Sequence, residues 1–227
     1  MALTPLSVAP LSPTRRGVLQ GRIRWIVAAT IAYNVVEAVI AITAGSVASS
    51  TALIGFGLDS IVEVLSAAAI AWQFAGRDPE ARERTALKVI AVSFFGLALY
   101  VTADAAVTFA GLREPEHSTT GIILAAVSLA VMPILSLLER RTGNELGSAS
   151  AVADSKQTLV CSYLSAAVLI GLLLNTLFGW TWADPVAGLV VVVVAVREGL
   201  EAWSGDACTQ PVAALTGERA TSTCDCC

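Results

Sequence analysis

Residues 50–67 read Ser50-Thr-Ala52-Leu53-Ile-Gly-Phe-Gly-Leu-Asp59-Ser60-Ile-Val-Glu63-Val-Leu-Ser66-Ala67, an apolar run broken by two acids four positions apart. In a helix that spacing puts both carboxylates on one face, about 6 Å apart along the axis. A charge at the centre of a bilayer costs at least ~2.5–3.5 kcal/mol, so paired acids there require a cation, a proton or a basic partner. Two uses meet that requirement. Either the acids hold a cation that the protein handles, or they are neutralised and serve only helix packing.

The rest of the chain supplies the bilayer. Hydrophobic residues make up 56% of the 227 and charged residues 14%, where soluble domains carry roughly 25% charge. Mean hydropathy is +0.73. Six apolar stretches approach the ~20 residues needed to span a bilayer. They fall near 24–46, 51–74, 88–110, 120–138, 151–178 and 183–203. The pattern predicts an all-α membrane protein of six transmembrane helices over 24–203. Residues 1–23, with Pro5, Pro10 and Pro13, are expected to form a disordered cytoplasmic lead, and 204–227 a short cytoplasmic tail.

Basic residues orient the bundle. Arg15, Arg16, Arg22 and Arg24 precede the first span, and Arg77, Arg82, Arg84 and Lys88 lie between the second and third. Arg140 and Arg141 follow the fourth span, while Arg113 falls in a link on the opposite side. By the positive-inside rule both ends of the six-span unit are cytoplasmic. The net charge of −4 carries no basic patch interleaved with aromatics, so nucleic acid is not an expected partner. Cys161 lies inside the fifth span, whereas Cys208, Cys224, Cys226 and Cys227 lie in the tail, where stable disulfides are not expected. The close thiols at Cys224, Cys226 and Cys227 either capture a soft metal or are a solvated tail.

The fifth span holds a second polar set within Ala153-Asp154-Ser-Lys156-Gln157-Thr158-Leu-Val-Cys161. Asp154, Thr158 and Cys161 follow a helical i, i+4, i+7 spacing, and Gln157 is four residues before Cys161, so all four fall on or near one face. Lys156 projects elsewhere, towards an acid of a neighbouring span or the cytoplasmic surface. Asn34 and Glu37 in the first span are deep enough to support a site, a water path or interhelical hydrogen bonds. Asp104 is placed to line an outer path or pair with Arg113, Asp184-Pro185 to cap the sixth span, and the single histidine, His117, in a solvated loop.

Three motifs together resemble the cation diffusion facilitator family, six-span divalent-metal/proton antiporters that typically export zinc. The family's second span reads roughly S-x-A-L-x-A-D-x-x-H-S-x-x-D-x-x-S. Residues 50–66 match it, with Asp59 at the histidine or aspartate ligand position and Glu63 at the aspartate. The fifth-span pattern A-D-x-x-H-x-x-x-D aligns with Ala153 to Cys161, Gln157 standing for the histidine and Cys161 for the aspartate. Trp182-Ala-Asp184-Pro185-Val-Ala-Gly188-Leu189 fits the opening of the family's sixth span. Residues 204–227 are too few for the family's common cytoplasmic metal-binding domain, so the resemblance is to a short, divergent branch.

That resemblance implies a cation efflux transporter with metal ligands among Asp59, Glu63, Gln157, Cys161 and Asp154. It also implies a homodimer in the lipid bilayer. Carboxylates with a thiolate suit Zn²⁺, and an oxygen-rich set also admits Mn²⁺, Fe²⁺ or Co²⁺. The metal is cargo, not a prosthetic group. Such ligands bind metal when deprotonated, so binding expels protons and antiport follows. Two other functions stay open: a metal sensor or regulator without flux, and a proton-coupled exporter of small organic cations. No phosphate loop and no nucleophile–base pair is present to suggest an enzyme.

Overall fold

A computed structural model describes residues 13–74, 79–146 and 149–204. Among these the protein is all helical: α1 Pro13–Ala48, α2 Thr51–Phe74, α3 Pro79–Phe109, α4 Thr119–Leu146, α5 Ala149–Phe178 and α6 Ala183–Ser204. Helices dominate because a chain crossing lipid must satisfy its backbone groups internally. Five of them are long and apolar enough to cross a membrane. The sixth, α6, carries Asp184 at its start and Arg197, Glu198 and Glu201 near its end, around the uninterrupted apolar stretch 185–196.

The first helix begins at Pro13, well inside the stretch expected to be a disordered lead. Proline fits the first turn of a helix, where its missing N–H has no intrahelical partner to lose. Leu19 is buried, and the Arg15 guanidinium pairs with Glu145 near the end of α4, which fastens this extension to the bundle. That pair also puts the start of α1 and the end of α4 at the same, arginine-rich end.

The opposite end is tied by other bonds. The Glu116 N–H donates to the Ala48 carbonyl at 2.8 Å, and Asn175 Nδ2 donates to the Pro115 carbonyl at 3.2 Å. Arg113 pairs with Asp104 at 2.6 Å, and Thr51 Oγ1 donates to the other oxygen of Asp104 at 2.6 Å. Asp104 is therefore the partner of Arg113, one of the two uses its position allowed. Phe178, Trp180 and Trp182 cluster at this end, with Trp180 and Trp182 stacked at 5.3 Å. Trp25, Trp72 and Trp203 stand exposed towards the other end. Two aromatic belts of this kind mark the two membrane–water interfaces. Between them an outward band including Val39, Leu99, Ile123, Ile170 and Val193 faces lipid.

Asp184 serves a helix other than the expected one. Its carboxylate accepts from Ser50 Oγ at 2.5 Å and from the Ala52 N–H at 3.3 Å, so it caps α2 and not α6. The start of α2 lies inside the bundle, where its first N–H groups have no water to turn to. In α6, Pro185 has no N–H to satisfy. Ser50 completes the cap by accepting from the Leu53 N–H at 3.1 Å.

Helix α2 sits at the centre, packed against α1, α3, α5 and α6. In its apolar window 56% of residues are buried, against 22% for α1, so α2 carries Asp59 and Glu63 into the core. Small residues let α1 approach it closely. A Cβ added at Gly45 would stand 2.9 Å from the Ile54 backbone nitrogen, and one at Gly57 3.0 Å from that of Ile42. Van der Waals contact between closely spaced backbones is a main source of helix association in lipid. Gly45→Ala should therefore cost about 1–3 kcal/mol through overpacking. Thermal unfolding in detergent checks this, with Gly17→Ala, where an added Cβ meets nothing within 4 Å, expected to leave the transition unmoved.

Candidate metal centre

Asp59 and Glu63 project from one face of α2, as their spacing requires, and meet Cys161 of α5. One ligand atom from each lies within 4.8 Å of the others. Cys161 Sγ is 3.8 Å from Asp59 Oδ2 and also hydrogen-bonds Glu63 Oε1. A sulfur and an oxygen on one tetrahedral zinc ion stand roughly 3.6 Å apart, from ordinary Zn–S and Zn–O bond lengths. The Cys161–Asp59 separation is close to that value. Asp59 and Cys161 are each 5% exposed and Glu63 is half-buried.

Charge narrows the two uses of the acids. Among the described residues neither Asp59, Glu63 nor the nearby Glu37 forms an ion pair. Two buried acids and a half-buried one without a basic partner need protons or a cation. Their remaining contacts are hydrogen bonds. Asn34 of α1 donates its amide N–H to Glu63 Oε2 at 2.6 Å. Glu37, one turn further along α1, accepts from Ser60 Oγ at 2.8 Å and from Ser128 Oγ of α4. Tyr33 joins the same group through Ser128 at 2.7 Å.

A further layer lies nearer the arginine-rich end. Glu139 of α4 is fully buried and accepts from Thr158 Oγ1 at 3.2 Å and from Thr30 Oγ1 at 3.4 Å. Thr158 thus turns to Glu139. Glu139 was not anticipated from the sequence, because it abuts Arg140 and Arg141 and reads as the polar end of a span. Its signal is the continuing helical period of α4, in which Met132, Ser136 and Glu139 recur on the buried face.

The remaining candidates are placed less centrally. Gln157 is half-buried on α5, one turn before Cys161. The side chains of Asp154 and Lys156 lie outside the described residues, as do Cys208, Cys224, Cys226 and Cys227. His117 is exposed in the link before α4, away from the cluster.

A family model for the cation efflux transmembrane domain matches residues 27–204, from early α1 to the end of α6. The chain belongs to the cation efflux family. It is 27% identical over 198 residues to an uncharacterised transporter of Methanocaldococcus jannaschii, an alignment covering 83% of this chain and 68% of that one. Shorter alignments join it to proteins named cadmium, cobalt and zinc/H(+)-K(+) antiporter. The Bacillus velezensis protein is 25% identical over 109 residues and the Bacillus subtilis protein 24% over 104. Those segments cover 48% and 45% of this chain but only about a third of each antiporter (34% and 33%). As a cation efflux protein with five apolar helices of spanning length, the chain is a multi-pass integral membrane protein.

The Glu37 network generates a stability prediction. Glu37→Ala leaves Ser60 with only the Phe56 carbonyl and Ser128 with only Tyr33, and should cost roughly 0.5–2 kcal/mol for each bond lost inside the bundle. Ser60 and Ser128 donate to different oxygens of Glu37, so Glu37→Gln keeps an acceptor for one of them and should recover about half of that loss. Unfolding of both variants in the same detergent, compared with the wild type, reads the difference.

Proposed function

We propose that the protein exports divalent cations by metal/proton antiport, with Zn²⁺ as foremost cargo and Mn²⁺, Fe²⁺ or Co²⁺ within reach of the same donors. The observation that carries this reading is the convergence of Asp59, Glu63 and Cys161 from α2 and α5 within 4.8 Å, without an ion pair among the described residues. Two carboxylates and a thiolate form a donor set for a borderline divalent metal. The names of the two Bacillus relatives, which include cadmium, cobalt and zinc, agree with that chemistry.

The mechanism follows from competition between metal and protons. Deprotonated donors take a cation from the cytoplasmic side, the helices rearrange, and protons from the outer side displace it and return inward. Gln157 and Asp154, one and two turns from Cys161 towards the start of α5, serve as donors on the approach to its level. The proton gradient supplies the driving force. Small residues at 67–69, of which Ala68 is exposed, support a homodimer as in the family.

Proteoliposomes holding a zinc-responsive dye test this reading. An imposed pH gradient should drive Zn²⁺ flux, and Asp59→Asn with Glu63→Gln should lower it about 100-fold or more, since both changes remove anionic ligands. The sign of the pH effect is fixed. Protons compete for the donors, so Zn²⁺ affinity falls as pH falls, with a slope equal to the protons released per metal. Flux that survives the double change moves the site elsewhere. Stoichiometric Zn²⁺ binding without flux makes the protein a sensor or regulator. Proton-driven uptake of an organic cation, with no protection of the acids by metal, makes it an organic-cation exporter.

A further inference from the structure

Three donors do not fill the four-coordinate shell of a zinc-like cation. Asn34 of α1 is 3% exposed, and its amide nitrogen donates to Glu63 Oε2 at 2.6 Å. The other half of the same amide, Oδ1, is buried and has no hydrogen-bond partner among the described residues. Buried polar side-chain atoms in folded proteins are nearly all partnered, and an orphan is commonly the mark of an ion or an ordered water. The orientation of the amide follows from its neighbour. When Glu63 is ionised, as a metal ligand must be, its carboxylate only accepts, so the NH₂ group faces it and the carbonyl oxygen is turned away from that carboxylate. That oxygen shares a planar amide with the nitrogen touching a ligand of the site.

We propose that Asn34 Oδ1 is the fourth donor of the metal centre, so that α1, α2 and α5 all contribute to it; the assignment rests on the metal-transport reading above. A neutral amide oxygen suits the place electrostatically. Two carboxylates and a thiolate already over-neutralise a divalent cation, and a further anion would raise the uncompensated charge in an apolar bundle. The Asn34 amide also orients Glu63, as partners of metal ligands commonly do. Gln157 offers the same amide chemistry, but it is half-buried, whereas Asn34 is tied directly to Glu63.

Co²⁺ titration of the full chain in lipid nanodiscs tests the assignment. Thiolate-to-cobalt charge transfer reports Cys161, and the intensity of the d–d bands reports coordination number. Asn34→Leu should retain the charge-transfer band, change the d–d intensities and weaken Co²⁺ and Zn²⁺ binding about 10–100-fold. Asn34→Asp supplies an oxygen but no N–H and adds an anion, so it should keep the wild-type d–d intensities while binding more weakly than the wild type; it also guards against a leucine variant that fails to fold. Thr43→Val, on the exposed face of the same helix, should leave the spectrum unchanged. Wild-type spectrum and affinity in Asn34→Leu overturn the proposal. Weakened binding in both Asn34 variants with unchanged d–d bands reduces Asn34 to a hydrogen-bond donor and overturns it too. The same follows if Gln157→Ala moves the bands and Asn34→Leu does not. A wild type with no cobalt spectrum sensitive to Asp59→Asn and Glu63→Gln defeats the metal-site reading itself, and the Asn34 assignment with it.

Discussion

Carboxylates carried on the most buried helix are the constraint around which this bundle is arranged. Asp59 and Glu63 stand where water is scarce, and Glu37 of α1 lies close enough to add to the same negative cluster. No basic residue pairs with them among the described residues, so the surrounding helices must supply donors instead. Asn34, Ser60, Ser128 and Cys161 do so from α1, α2, α4 and α5. Reaching those partners requires helices packed closer than large side chains allow. Gly45 and Gly57 meet that need at the contact of α1 with α2, where an added methyl would strike backbone.

Much of this was legible in the sequence because the signals were local. The i, i+4 spacing of Asp59 and Glu63 requires a shared face in any helix, and the apolar run around them requires a helix in lipid. Cys161 was legible as a polar-face residue of the fifth span. The partnership of α2 with α5 was not, since periodicity orients a residue on its own helix and says nothing of which helix lies opposite; family resemblance supplied that link. The same limit explains Asp184. Its place before Pro185 reads as a local cap, but its carboxylate reaches the start of α2, over 130 residues away in the chain. Glu139 was hidden by its neighbours Arg140 and Arg141. Pro13 marked a helix start that proline content alone made look like a tail.

The polar residues form a seam, not a single point. Because α1 and α5 run one way and α2 and α4 the other, their polar positions fall into register along the bundle. Thr30, Glu139 and Thr158 form a layer nearest the arginine-rich end. Asn34, Glu63 and Cys161 come next, with Asp59 beside them, followed by Glu37, Ser60 and Ser128. Hydrogen bonds run within each layer, and Asn34 Oδ1 alone among the buried side-chain oxygens and nitrogens of the described residues is left without a partner. Polar groups repeated at one-turn intervals give a cation or a proton successive partners through a low-dielectric interior, where a single isolated charge would face the full cost of desolvation.

Where the candidate centre lies between helices bears on how binding can do work. A ligand shifts a conformational equilibrium only through its difference in affinity for the two arrangements. A cation held by Asp59 and Glu63 alone would keep both ligands in every arrangement of α2 and would shift nothing. One held by Cys161 as well has its full donor set only while α2 and α5 are in register. These two helices share a far smaller interface than α4 with α5 or α1 with α2, so sliding one past the other breaks few contacts. Helix α5 is separately braced to α4 by Ser136 on the Ser155 carbonyl and by Thr158 on Glu139. In the proposed antiport, exchange of a proton for a metal therefore acts at a thin seam of the bundle, where a few ligand bonds outweigh the packing that opposes movement.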